Sequence, residues 1–412
     1  MTSEVREQHR LDAEIRDVLR KDACTGCGAC PLLDTGLHMV ENADGYLRPL
    51  RQSDGDTRPG AAAIFRDVCP GVTVSANATP EARHHPTMGA YLAVWEAWAT
   101  DSVIRHRGSS GGVLTALNAW LLESGKASRV VGAAAASDPR RSVAVTMTTR
   151  DEALRAAGSR YTPVGVLSGT DVLLPGTAIV GKPCEASAVS ALAASRVFDG
   201  ASEPPLVLSF FCAGTPSARA TDKLLGELGV PADAVVDDLW YRGRGWPGQF
   251  TARSGDTVVT ADYDDSWGKA LGPATQWRCK VCPDGVGESA DIVAADYWQV
   301  DERGYPSFVE GDGASALIAR TSRGLEIVLE AAAAGVIHIS EIGMGSLDAV
   351  QPLQRERRRF LAARMLGSRL AGRGVPRYRG FGLWRLSLSQ PRVAWRTLRG
   401  TFSRIRRSRI RA

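Results

Sequence analysis

Eight cysteines are the residues of this 412-residue chain best suited by type and spacing to do chemistry. Cys24, Cys27 and Cys30 recur at every third position in "CTGCGAC", and Cys69 follows further on, directly before Pro70. Cys184 stands in "GKPCEA", Cys212 in "SFFCAG", and Cys279 and Cys282 form "CKVC". The opening residues lack the apolar stretch of a secretion signal and no apolar run is long enough to span a bilayer, so a cytoplasmic protein is expected. Structural disulfides are disfavoured there. A lone buried thiol is the bland reading of any one cysteine, but the division into four and four favours metal binding.

The early set resembles the bacterial ferredoxin signature, with two residues between successive cysteines and a final Cys-Pro, although here the fourth cysteine is distant. A tight loop of this kind wraps one corner of a cubic cluster, and Gly26 and Gly28 relax its steric limits. The expectation is a 4Fe-4S cluster on Cys24, Cys27, Cys30 and Cys69. Zinc is the competing reading, but structural zinc sites usually offer two separated Cys-x-x-Cys knuckles. In the later set, Cys184 and Cys212 follow apolar strand patterns, where α/β sheets place ligands. If those strands are neighbours, both thiols open into one crevice, and Cys279 and Cys282 complete a second cluster. A redox dithiol at "CKVC" and a solitary nucleophile at Cys184 stand as alternatives.

The elements that must position these groups alternate strand and helix. "SGGVLTALNAWLLESG" reads as an amphipathic helix. "ASRVVGAAA" and "SVAVTM" read as strands and "DEALRAAG" as a helix. "GTAIVG" and "LVLSFFC" read as buried strands, each followed by a helix. The fold class expected is α/β: a mixed-sheet domain, to which the family resemblance given below adds flavin binding, a small N-terminal ferredoxin-like iron-sulfur subdomain and a basic helical C-terminal tail. The boundaries are an arm at 1–20, the iron-sulfur subdomain at 21–80, the α/β domain with the second cluster at 81–345, and the tail at 346–412. From Gln351 onward eighteen arginines face one acidic residue, Glu356, so the net charge of +5 conceals an acidic body. Such a tail fits docking on the body itself, on an acidic protein or on an anionic membrane surface; nucleic acid fits least, because no recognised binding module accompanies the charge.

In "RHRGSSGGVLTAL", Ser109, Ser110, Gly111 and Gly112 precede a helix, where free amides and the positive helix end favour phosphate. Arg105, His106 and Arg107 add charge. An ordinary capped helix start is the alternative. "ESADIVAADYW" flanks an apolar strand with Asp291 and Asp296; Asp296 meets a substrate or, with the flavin of the resemblance given below, its ribityl hydroxyls, or simply ends the strand. Tyr297 and Trp298 cover a ring or fill the core.

Taken together, "CTGCGAC", "GYLRP", "VCPG", "SSGGVLTAL", "SRYTPV", "VGKPCEASAV", "FFCAGTPS", "CKVCPDGVGESADIVAADYW" and "RTSRG" occur in one order over about residues 21 to 325. The chain resembles the coenzyme F420 hydrogenase and dehydrogenase beta-subunit family, which includes iron-sulfur flavoproteins that reduce chlorophyll derivatives. The resemblance implies FAD beside two 4Fe-4S clusters, with coenzyme F420 as a hydride partner. It places Ser110, Gly111 and Gly112 against the flavin phosphate or ring, Tyr161 beside the flavin, and Lys182 facing the isoalloxazine or its phosphates. The chain departs from its relatives in reading Pro-Cys-Glu after Lys182 where Pro-Cys-Gln is common. His106 and Glu185 are the candidate proton donors, each with a surface or helix-capping role as its alternative.

A flavin converts two-electron hydride chemistry into the single-electron steps of a cluster. The expected function is therefore an oxidoreductase moving hydride or electrons between a reduced cofactor (F420H2, NAD(P)H or ferredoxin) and an organic substrate or partner subunit. Two alternatives stand beside it: a freestanding, ferredoxin-dependent reductase of a biosynthetic intermediate, and a non-catalytic electron-transfer or structural metal-binding adaptor. A partner subunit or a homo-oligomer is the expected assembly.

Overall fold

The computed structural model describes residues 3–76, 80–195, 197–198, 203–298 and 311–410. Its centre is a sheet of eight strands: β1 (Ala93–Ala99), β2 (Arg129–Ala135), β3 (Ser142–Met147), β4 (Thr177–Gly181), β5 (Leu206–Phe210), β6 (Ile292–Asp296), β7 (Ser315–Ala319) and β8 (Ile337–Glu341). The spatial order is β8-β1-β7-β6-β5-β4-β2-β3. β2, β4, β5 and β6 run parallel to one another, and the outer pairings are antiparallel.

Successive strand residues point to opposite faces, and both faces are covered. Ala178, Leu206, Leu208, Ile292, Ala294 and Leu317 enter one core, beneath the helices Val113–Glu123 and Ser322–Ala333. Their neighbours Ile179, Val207, Val293, Ala316 and Ile318 enter the other, beneath the helix Pro183–Ala194. The strands are short and continuously apolar because neither face meets water.

That second core also holds Leu11, Ile15 and Val18 of the helix Ser3–Arg20, Phe65 of the helix Ala61–Val68, and Cys24, Cys27 and Cys30. Cys24, Cys27, Cys30 and Phe65 of the 21–80 segment therefore share a core with the main sheet, and a discrete ferredoxin-like subdomain is not confirmed. The segment's own sheet is a hairpin of Leu37–Glu41 with Leu47–Arg51. The hairpin is locked by Asp34, whose carboxylate accepts from Arg51 Nη1 and Nη2 at 2.9 Å each, from Thr57 Oγ1 at 2.6 Å and from the Gly36 N–H at 2.9 Å.

The C-terminal region is helical and wraps back onto the body. The helix Pro352–Leu370 packs Leu361 and Met365 around Val281 and Val74, and the strand Arg377–Arg379 pairs in parallel with Thr73–Ser75. A third, antiparallel sheet of Asp238–Trp240, Phe250–Ser254 and Thr257–Ala261 packs with the helix Ala218–Glu227 around Tyr241 and Phe250.

Burial alone would raise the Asp34 pKa, but the bonds from Arg51, Thr57 and Gly36 outweigh it and hold the carboxyl below its usual range. A folded pKa below the unfolded one contributes stability above about pH 4, and that contribution fades as pH falls through the folded value. Asp34→Asn is expected to cost about 1–3 kcal/mol at neutral pH, with the difference from wild type shrinking towards zero in strong acid. Urea unfolding at both pH values reads it; an equal difference at both would contradict the assignment.

Candidate functional site

The first thiol group is built by a loop that only glycine permits. Gly26 and Gly28 adopt φ of +72° and +88°, and a Cβ on Gly28 would stand 2.7 Å from the Ser168 backbone nitrogen. Cys24, Cys27 and Cys30 are buried, and Cys69 arrives at the C-cap of the helix Ala61–Val68. Burial pushes the Cys30 thiol well up, and its neighbours Cys69, Cys27 and Cys24 push it further. Cys27 is raised to about 11, by burial foremost. The Gly26 N–H donates to Cys24 Sγ at 3.4 Å. Cys30 thus feels the charge of each of the other three thiols in the early set.

The condition set for the second group is that its two strands be neighbours, and β4 and β5 are parallel neighbours, with Gly181 beside Ser209 in register. Cys184 and Cys212 therefore leave the sheet at one edge. Cys212 is pushed up to about 12 by burial first, then by Cys279, with Cys282 adding to it, and the Thr215 N–H donates to Cys279 Sγ at 3.4 Å. Cys184 is raised well up by burial, against the pull of Lys182, with Glu185, Cys27 and Cys212 adding to the rise. All eight cysteines are free thiols. Among the described residues, no three His, Cys, Asp or Glu side chains gather closely enough to hold a single metal ion.

Arg278, inside "WRCKVC", is 1% exposed. Its Nε and Nη2 donate to the Pro70 carbonyl at 3.1 and 2.8 Å, its guanidinium lies 5.6 Å from the Tyr378 ring centre, and no carboxylate among the described residues pairs with it. Its field reaches Cys24 and Cys69 on one side and Cys184, Cys279 and Cys282 on the other. Gln276 ties the same loops together. It donates to the Thr25 carbonyl at 2.9 Å and accepts from Arg48 at 3.0 Å.

Lys182 and Glu185 are committed to each other. Lys182 Nζ donates to Glu185 Oε1 at 2.5 Å and to the Val164 carbonyl at 2.8 Å, while Glu185 also accepts from the Lys182 and Val166 N–H groups at 2.7 and 3.1 Å. The pair is buried. Gly111 presses on the sheet, where a Cβ would lie 2.6 Å from the Ala97 carbonyl oxygen, and Gly112 has φ of +72°. Ser110 Oγ donates to the Ala314 carbonyl at 2.8 Å, and Ser109 Oγ accepts from Ser159 at 2.7 Å. His106 and Arg107 are exposed at the end of the helix Ser102–Arg107, with Arg107 donating to the Leu154 carbonyl at 3.3 Å. Tyr161 packs in the third core against Trp267 and Tyr241.

Asp296 is paired with Arg242, a residue that sequence reasoning misses. Arg242 Nη1 donates to Asp296 Oδ2 at 2.8 Å and Nη2 to the Ser109 carbonyl at 2.6 Å, and the guanidinium lies 5.0–5.2 Å from the ring centres of Tyr263, Trp246 and Trp298. This box joins the end of β6 to the 109–112 loop. Arg357 escapes sequence reasoning too: it donates to the Cys212 carbonyl at 2.9 Å from the C-terminal helix. Neither arginine belongs to a motif. Arg278 carries a signal, a cation beside the first cysteine of "CKVC".

A mixed sheet whose parallel centre carries two thiol-bearing loops at one edge is an α/β scaffold, and comparison with known proteins gives its family. Models of the coenzyme F420 hydrogenase/dehydrogenase beta subunit match the chain in two parts, the N-terminal one over residues 94–169 and the C-terminal one over 176–344. The chain belongs to this beta-subunit family, and so to its oxidoreductases. Coenzyme F420 hydrogenase subunit beta of Methanococcus voltae is 27% identical over 300 residues, covering 70% of this chain and 99% of that protein. The subunit of Methanothermobacter thermautotrophicus is 25% identical over 284 residues, covering 66% and 93%. A chain in the xenon-derivatised F420-reducing [NiFe] hydrogenase complex from Methanosarcina barkeri shares the fold, with TM-score 0.55, 22% identity, and coverage of 71% and 98%.

Removing the charge of Lys182 would strand the Glu185 carboxylate in the core. Lys182→Met is expected to destabilise the protein by about 3–5 kcal/mol, and Lys182→Met/Glu185→Leu to recover much of that loss. Guanidinium unfolding followed by circular dichroism measures both; a single variant as stable as wild type would show that the pair holds nothing.

Proposed function

We propose that the chain is an iron-sulfur flavoprotein that moves electrons or hydride between a reduced soluble cofactor and an organic substrate or partner subunit. Two 4Fe-4S clusters are assigned to Cys24, Cys27, Cys30 and Cys69 and to Cys184, Cys212, Cys279 and Cys282. The observation that carries this reading is Arg278. Burying a cation with no carboxylate costs several kcal/mol, and besides Tyr378 the titratable groups its charge reaches are thiols of both sets. Thiols become anionic when metal binds them, so loaded cysteines supply the missing counter-charge. Backbone N–H groups at Cys24 and Cys279 donate towards sulfur, as a cluster cradle requires.

FAD is assigned to the edge formed by Arg107, Ser109, Ser110, Gly112, Tyr161 and Asp296. Thr162 Oγ1, next to Tyr161, is buried with no hydrogen-bond partner, and a cofactor's polar atom would satisfy it. When bound, the flavin would exchange hydride with the soluble cofactor and single electrons with the clusters. Coenzyme F420 is the favoured hydride partner, because the relatives are F420 hydrogenase subunits. Lys182 and Glu185 serve in this reading to hold Cys184 and the 164–168 segment in place. Arg242 fixes the Asp296 carboxylate against the 109–112 loop and keeps water from that corner with its three rings.

Anaerobic purification with iron, sulfide and flavin quantitation tests the reading. About eight irons and one flavin per chain are expected, with about four irons left in a Cys27→Ser variant. Bound zinc without flavin would overturn it. Arg278→Met is expected to lower the cluster reduction potentials, since a lost cation disfavours the added electron, while Arg278→Lys keeps them near wild type. Potentiometric titration followed by electron paramagnetic resonance reads that shift.

A further inference from the structure

The last helix, Pro391–Ile410, has two unlike faces. Thr401 and Ile405 are buried and Leu398 is half-buried, and its backbone approaches the helix Pro352–Leu370 so closely that a Cβ on Gly367 would lie 2.5 Å from the Leu398 carbonyl oxygen. On an adjoining, outward face Trp395, Arg399, Phe402 and Arg406 follow at steps of four, three and four, all exposed, with Arg392 and Arg396 beside them. Trp384 and Leu388 of the preceding helix Leu383–Leu388 are exposed as well. Trp384, Trp395 and Phe402 are the exposed aromatic side chains of the described residues, so apolar exposure of this kind is gathered at one end of the chain. No acidic residue follows Glu356.

We propose that this outer face docks on an anionic lipid bilayer, lying in its interface. Charge complementarity commits the surface to an anionic occupant, since every charge beyond Glu356 is an arginine. The exposed side chains between those arginines decide which anion. Tryptophan, phenylalanine and leucine gain by entering the acyl boundary while arginines reach up to the headgroups, whereas Leu388 gains nothing from a phosphodiester backbone. No helix among the described residues is long and apolar enough to cross a membrane, so the contact is peripheral. The proposal is independent of the redox reading, because it uses none of the cysteines.

Co-sedimentation of the full chain with phosphatidylcholine vesicles, with and without phosphatidylglycerol, tests it. Binding is expected to the anionic vesicles alone. Arg392→Gln/Arg396→Gln/Arg399→Gln/Arg406→Gln should weaken it by about fivefold per arginine removed, and Trp395→Ser/Phe402→Ser by about tenfold or more. Far-UV circular dichroism checks that both variants keep their helices. Failure of the wild-type chain to bind anionic vesicles would overturn the proposal, as would undiminished binding of the aromatic variant, which would reduce the contact to ionic adsorption. Tighter binding to polyuridylate or to poly-L-glutamate than to vesicles would give the face to nucleic acid or an acidic protein and overturn it too.

Discussion

One buried ion pair joins the two halves of the thiol site. Lys182 and Glu185 follow β4 in the turn that delivers Cys184, and together they hold the Val164 carbonyl and the Val166 N–H. The next residue, Leu167, donates to the Cys27 carbonyl at 3.1 Å, and Gly28 accepts the close approach of Gly165. The early cysteine loop is thereby moored to the sheet edge from which the later cysteines project. A buried pair is a poor source of net stability compared with apolar packing, but it is demanding about geometry. Here that demand fixes the spacing between two groups that distant parts of the chain supply.

The C-terminal helix supplies the other restraint. Gln354 and Arg357 donate to the Cys212 carbonyl and Arg364 to that of Lys280, so polar groups of the cysteine loops that no strand satisfies find partners in the tail. Arg358 pairs with buried Glu288, and Arg373 with Asp22 at 2.5 Å. The contrast between an acidic body and a basic tail is thus partly spent inside the molecule, on the tail's first half. The helix Pro391–Ile410 turns most of its arginines outward.

Much of this is legible in the sequence. The strands at 177–181 and 206–210 show because a short, continuous apolar run bounded by turn residues is what a strand buried on both faces requires, and the cysteine sets show because thiols at fixed spacing are rare. The packing of the 21–80 segment is not legible, since a glycine-rich texture reveals local looseness but not that Phe65 and Leu11 share a core with Ile179. Arg242 and Arg357 are invisible for a different reason. Their roles arise from contacts across 54 and 145 residues of sequence, which no local period records. Lys182 and Glu185 have the residue types of a proton-transfer pair, and their spacing of three at a helix start equally describes the capping pair that the fold contains.

The position of Arg278 bears on why the two thiol sets lie so close. Two anionic clusters repel each other, and each makes the other harder to reduce. With both clusters bound as proposed, a guanidinium whose field reaches cysteines of both sets would screen that repulsion, with no carboxylate among the described residues to cancel its charge. Its anchorage on the Pro70 carbonyl ties it to the residue after Cys69, while its own backbone precedes Cys279. The cation therefore moves with neither set alone. Arginine is suited to this place because it stays charged when buried and forks two donors onto one acceptor, whereas a lysine here would offer one flexible point charge.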